Sequence, residues 1–270
     1  MSATPIDLNL LYRPALDGIH RAYVFMRFGV RGVSVGDFEE TELPGRLQIS
    51  VVPEPMPEKM LNDYVAQFRA WIVGNGLREL VETYSQFLDQ VYAHGLEVLS
   101  PTDLDRRQHT FEQVSLRDKI QRLRAEMGID GGFSQHLESL TIARNALTHG
   151  TGRVRPRDCT DGGELVITWR GIECFFTDDD GVRHRIGDEP PEVRLRDPLE
   201  SVTVDRQRRW KLGQRVELTA FDLTEICYMA NHDSIDVLEG LRAFGASRSV
   251  NMVPAKMIRG GSDDTETPVP

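Results

Sequence analysis

The pattern of apolar and polar positions divides the chain into a long helical stretch, a shorter stretch of period two and a final helix. From Glu58 to Leu99 apolar residues recur every three or four positions. Leu61, Tyr64, Val65, Phe68, Trp71 and Ile72 are followed by Leu77, Leu80, Val81, Tyr84, Phe87, Leu88 and Val91. Such spacing marks a helix with one buried face, so this aromatic-rich stripe is expected in the core. Gly74-Asn75-Gly76 is where the helix would kink or split. Ser100-Pro101-Thr102-Asp103 turns the chain, and Thr110 to Met127 reads as another amphipathic helix, with Phe111, Val114, Leu116, Ile120, Leu123 and Met127 mostly inward. After the loop from Gly128 to Gly132 comes a helix of about four turns ending at His149, with Ser134 as its N-cap and Gly150 where a left-handed C-terminal cap falls.

On the N-terminal side, Pro14 to Phe28 has a helical pattern, with Leu16, Ile19, Ala22, Tyr23 and Met26 on one side, and Gly29 to Gly36 is expected to break it. Leu47 to Val52 alternates like a short strand, and Pro53, Pro55 and Pro57 form a rigid spacer. Beyond Val154 the period becomes two. Glu164 to Thr168, Ile172 to Thr177 and Val182 to Ile186 read as strands, with Asp180-Gly181 as a hairpin turn, and Val193 to Leu195 and Ser201 to Val204 extend the sheet. A helix from about Thr219 to Phe244 carries Leu223, Ile226, Met229, Ala230, Val237, Leu238 and Leu241 inward, and the residues from about Ala246 onward look like a disordered tail. The expected fold is mainly α, a bundle of helices with a small β-rich insertion. Its parts are an N-terminal helix and extended segment over 1–55, a helical domain over 56–245 with the insertion at 155–215, and the tail over 246–270.

Composition narrows the chemistry. With 270 residues and 40% hydrophobic content the chain can bury one large core or two small ones, and one domain with an insertion is expected. Neither a basic-then-apolar leader nor an apolar run near 18 residues is seen, so the expectation is a cytoplasmic protein that is neither secreted nor membrane-spanning. Cys159, Cys174 and Cys227 give no disulfide framework and no zinc spacing. The formal charge of −10, from 42 acidic and 32 basic side chains, argues against a protein that coats nucleic acid by bulk electrostatics. Any RNA contact has to be local. Arg117, Lys119, Arg122 and Arg124 form one basic patch, and Arg206, Arg208, Arg209, Lys211 and Arg215 a second; either could equally be a solvated face with acidic partners. Asp178-Asp179-Asp180 lacks the glycine a calcium loop needs, and His94, His109, His136 and the His232-Asp233 pair stand without further ligand clusters, so no metal or cofactor is expected.

The richest chemistry lies in the helix that ends at His149. On a helical wheel Phe133, Leu137, Leu140, Leu147 and the Thr148 methyl make one apolar stripe, and Arg144 falls inside it. A guanidinium there requires an anionic partner, either a protein carboxylate or a phosphate. Asn145 and His149, four apart, share a face beside it. An arginine paired with a core carboxylate, a surface amide and a histidine drawn to the helix C-terminus would give the same letters.

Arg144-Asn145-Ala146-Leu147-Thr148-His149, followed by Gly150-Thr151-Gly152-Arg153-Val154, resembles the signature of the HEPN superfamily: arginine, a polar residue, three more, then histidine. The resemblance spans Met56 to Phe244 and is placed residue by residue only at Arg144, Asn145 and His149. It implies a HEPN-like helical bundle and a metal-independent endoribonuclease acting at a composite dimer site. His149 would serve as base or acid, Arg144 would grip the phosphate and Asn145 would orient either, with RNA as substrate. A role in defence or as a toxin is compatible with it. The same resemblance admits a non-catalytic HEPN-like scaffold that binds a protein partner or an anion. A nucleotide-sensing module is a weaker alternative, since the chain has no phosphate-cradling glycine loop.

Overall fold

The computed structural model describes residues 6–32, 57–100, 102–132, 134–149, 152–177, 181–185 and 200–255, with only the backbone given for Ser134 and His149. In chain order the elements are β1 (Ile6–Asp7), α1 (Asn9–Gly32), α2 (Glu58–Leu99), α3 (Leu104–Glu112), α4 (Leu116–Met127), α5 (Ser134–His149), β2 (Glu164–Thr177), β3 (Arg183–Arg185), β4 (Glu200–Lys211), α6 (Ala220–Ala246) and β5 (Met252–Val253). The described chain is mainly helical, with an antiparallel three-stranded sheet of order β3-β2-β4 inserted between α5 and α6. Among the described residues no helix is long and apolar enough to cross a membrane.

One hydrophobic core joins α1, α2, α5, α6 and β2. Tyr12, Ile19 and Met26 of α1 meet Leu77, Tyr84, Phe87 and Val91 of α2, Leu140 and Ala143 of α5, Ile167 and Trp169 of β2, and Leu223, Ile226 and Leu241 of α6. α1 ends at Gly32, within the stretch from Gly29 to Gly36 expected to break it, although Gly29 itself is still helical, and Gly74-Asn75-Gly76 does not split α2, which is continuous over 42 residues. Both are close-approach positions. A Cβ on Gly29 would lie 2.6 Å from Ile72 Cγ1, and one on Gly76 would lie 2.6 Å from Leu223 Cδ2 and 3.2 Å from the Ala22 carbonyl oxygen.

The core stripe of α2 begins later than its period suggested. Val73 is its first buried residue, whereas Tyr64, Phe68 and Trp71 are exposed. The face is apolar throughout, but α2 gains deeply packed neighbours only beyond its first third. The expected helix from Thr110 is also two helices: α3 starts at Leu104, and the chain breaks before Ser115, whose Oγ accepts from the Asp118 N–H at 3.2 Å and caps α4. Lys119, placed on a basic face by the sequence, is instead buried, with its Nζ 2.6 Å from Asp89 Oδ1.

In the sheet, the two strands expected on either side of Gly171 form one 14-residue strand that pairs with β4 through Gly171 opposite Val204; the Glu225 carboxylate occupies the space where a Cβ of Gly171 would sit, 2.3 Å away. β4 is longer than Ser201 to Val204 and includes the basic run to Lys211. Gly181 has the positive φ of a turn residue, 79°. The expected tail is ordered at its start: β5 pairs in parallel with β1, Ile6 opposite Met252, and Met252 is buried. The expectations for Leu47 to Val52, Pro53, Pro55, Asp178 to Asp180, Val193 to Leu195 and 256–270 lie outside the described residues.

Inside the bundle, Tyr84 donates its hydroxyl to Asp233 Oδ2. Both residues are buried. Burial first, then the Asp233 charge, pushes the Tyr84 phenol well above its ordinary value, so it stays protonated and keeps donating. Tyr84→Phe removes a donor from a buried carboxylate at almost constant volume, and is expected to lower stability by about 1–3 kcal/mol in urea unfolding. An unchanged midpoint would show that Asp233 does not depend on this bond.

Candidate active site

Helix α5 packs on α2, α4 and β2. Its buried face is made by His136, Leu137, Leu140, Ala143 and Ala146. This corrects the expected stripe: Leu137 and Leu140 belong to it, but Thr148 is exposed and Arg144 lies on its flank, partly buried. The small side chains of Ala143 and Ala146 take the innermost positions, so the arc is rotated away from Arg144. Phe133 lies outside the described residues.

Arg144 meets its neighbour Asn145, donating from Nη1 to Oδ1 at 3.0 Å. Its Nε is buried and has no hydrogen-bond partner, and no carboxylate of the described residues pairs with it. The core-carboxylate reading of Arg144 therefore finds no partner among the described residues. Asn145 is held in turn through its backbone, because its carbonyl accepts from Arg155 Nη2 at 3.3 Å. Arg155 is itself fixed by Asp158, with Nε 2.9 Å from Oδ2. Burial works to raise the Asp158 carboxyl, but bonds from the Arg155 side chain and backbone outweigh it and hold the pKa below the ordinary range. α5 ends at His149, whose side chain lies outside the described residues, as does Gly150. Gly152, two residues beyond the Gly150 expected to cap the helix, has a left-handed φ of 76°. From there the chain runs beside 213–216: the Val216 N–H donates to the Gly152 carbonyl at 2.7 Å, and Arg153 bridges Arg215.

Against the end of α5 lies a cavity of about 330 Å³, lined by Trp71, Asn75 and Arg78 of α2, Leu147 and Thr148 of α5, and Arg215, among others. It was not foreseen. The sequence pattern places Trp71 in the core and Arg215 in a basic run, yet Trp71, Asn75 and Arg78 are spaced i, i+4 and i+7 and so share a face of α2. Among the described residues no carboxylate lines this cavity. The one between α4 and α5, by contrast, contains Arg117 with Glu138 at 3.0 Å and Arg124 with Asp130 at 2.6 Å.

The basic patches are mostly neutralised. Arg206 pairs with Glu173 and Glu225, Arg208 with Asp222, and Arg209 with Asp161 and Glu164. Among the described residues no group of three or more His, Cys, Asp or Glu side chains is placed to hold a metal ion. His232 packs on the Tyr228 ring, and Asp233 belongs to the buried pair with Tyr84. Comparison with protein-family models, with curated proteins and with solved structures finds no match.

His136, read as an ordinary isolated residue, ties α5 to β2. Its Nδ1 is 2.8 Å from Thr168 Oγ1, and Ser139 Oγ accepts from the Thr168 N–H at 3.0 Å. Desolvation lowers its pKa, with Asp205 acting upward and Arg170 downward. A depressed folded pKa means that the unfolded chain takes up the proton first. The stability contributed by neutral His136 is complete above the ordinary histidine pKa and is lost as pH falls below that value towards the folded one. Urea midpoints are expected to fall between pH 7 and pH 5, and to fall less in His136→Gln. Equal pH dependence in the two proteins would contradict this origin.

Proposed function

We propose that the chain is a metal-independent endoribonuclease of the HEPN kind, with Arg144, Asn145 and His149 as its catalytic residues. The observation that carries this reading is Arg144: a partly buried guanidinium on the motif helix, steadied by Asn145 and without a carboxylate partner among the described residues. A cation held in that way is suited to a phosphate, which accepts two parallel N–H bonds from one guanidinium.

Cleavage would proceed by attack of the RNA 2′-oxygen on the adjacent phosphorus, forming the new P–O2′ bond as the P–O5′ bond breaks. One group takes the 2′-hydroxyl proton and another gives a proton to the departing 5′-oxygen. Arg144 stabilises the charge that develops on the phosphorane oxygens. His149 supplies one proton transfer, and the second is supplied by His149 of another copy, in an isologous dimer that brings two α5 ends to one cleft.

A second reading, a HEPN-like scaffold that binds a protein partner, is favoured by the exposed aromatic rings Phe25, Phe28, Tyr64 and Phe68 on α1 and α2. One assay separates the two. With structured RNA in EDTA, the parent is expected to cut, Arg144→Lys to cut on the order of a hundredfold more slowly because an ammonium lacks the bidentate grip, and His149→Ala to lose more. Unchanged rates in both variants would move the activity away from α5, and a parent that cuts no RNA would leave the scaffold.

A further inference from the structure

The cavity at the end of α5 carries a more specific reading than a basic surface. We infer that it is a nucleotide subsite for single-stranded RNA, in which Trp71 stacks on a base and Arg78 and Arg215 hold the flanking phosphates. The inference rests on the ribonuclease reading for its choice of ligand, and on the cavity for its residues.

Three observations converge. First, the lining is cationic and, among the described residues, free of carboxylates in a chain whose formal charge is −10. Neither Arg78 nor Arg215 pairs with an acidic side chain of the described residues, whereas Arg206, Arg208 and Arg209 on the adjoining strand all do. Cations without partners facing one cavity repel each other, and an anion relieves that repulsion. Second, Trp71 is 58% exposed, whereas Trp169 and Trp210 are 1% and 9% exposed. Its one ring neighbour among the described residues is Phe68, at 5.7 Å and tilted by 34°, so those residues do not enclose the indole in an aromatic stack. A large planar side chain beside two guanidinium groups suits a ligand that alternates planar bases with phosphates. A simple anion would have no use for the indole, and an acidic peptide offers no regular planar group to stack.

Third, the cavity is continuous with the motif helix. Leu147 and Thr148, which immediately precede His149, form part of its wall. Arg215 lies beside Gly152, where an added Cβ would come within 3.8 Å of the Arg215 Nε. A volume of about 330 Å³ falls at the lower end of small-ligand pockets, enough for one nucleotide unit and not for a duplex. Strand passing through it would lead directly to the end of α5. Arg78 reaches it from α2 and Arg215 from the segment after β4, so the phosphates are contacted from two sides.

The test measures binding without cleavage. A fluorescein-labelled 2′-O-methyl oligoribonucleotide of seven residues, which lacks the attacking hydroxyl, is titrated by anisotropy against the full chain. The parent is expected to bind. Trp71→Ala is expected to bind on the order of tenfold more weakly or worse. Arg78→Ala and Arg215→Ala are each expected to lower the slope of log affinity against log salt by about 0.7, as for one lost phosphate contact on a single strand. Trp71, Arg78 and Arg215 are all exposed, and circular dichroism checks that each variant is folded. Equal affinity in all variants would overturn the subsite even if the parent cuts RNA, and so would a parent that does not bind. Inorganic polyphosphate bound as tightly as the oligonucleotide and unaffected by Trp71→Ala would also overturn it, leaving an anion groove that does not recognise bases. Tight binding that depends on Trp71, in a protein that cuts no RNA, would uphold the subsite and remove the ribonuclease reading alone.

Discussion

A carboxylate buried at Glu225 has to be satisfied where it stands, and the groups that satisfy it determine how the sheet lies on the helices. Trp169 Nε1 donates to it at 2.9 Å, the Ile172 N–H at 3.3 Å and Arg206 Nη2 at 3.3 Å. A buried charge with fewer partners would cost several kcal/mol, so these bonds clamp β2 and β4 onto α6. Gly171 is part of the same arrangement, since any side chain there would displace the carboxylate. On its other side β2 is joined to α5 through Thr168, Ser139 and His136. The sheet thus has a fixed place between two helices, and the chain leaving β4 is delivered to the end of α5, where Arg153 and Arg215 bridge.

Electrostatics follow from that placement. An acidic chain surrounds most of its arginines with carboxylates, and such exposed pairs contribute little stability individually. What they do is silence the local positive potential. The α5 region differs because Arg144, Arg78 and Arg215 have no acidic partner among the described residues, so the positive potential there is not silenced by such pairs. In the proposed function the helix would supply the cation that grips, and the neighbouring wall the cations that guide.

The long helices were legible because their apolar spacing is sustained. α2 runs from Glu58 to Leu99 as its period indicates, and α6 begins at the Thr219 cap, which accepts from the Asp222 N–H. Period alone does not reveal what an apolar face packs against. Tyr64, Phe68 and Trp71 continue the α2 stripe but remain exposed, and Arg144 sits beside the buried arc, because small alanines at 143 and 146 let α5 turn a different side inward. Gly29, Gly76 and Gly171 look like breaks in sequence and are points of close packing, a distinction that exists only once the neighbour is in place. The β1–β5 pairing was hidden for the same reason, joining two short segments from opposite ends of the described chain. Of the candidate site, the sequence offered the motif residues; the cavity required three distant segments to be folded together.

The central claim is that RNA is cut by its own 2′-oxygen at the Arg144–His149 end of α5. Mass spectrometry of the fragments made in EDTA tests it most directly, because the ends record which atom attacked. A 2′,3′-cyclic phosphate on one fragment and a 5′-hydroxyl on the other, both lost with His149→Ala, is the predicted result. Ends bearing a 3′-hydroxyl and a 5′-phosphate would mean attack by water on the other side of the phosphate and would contradict the account.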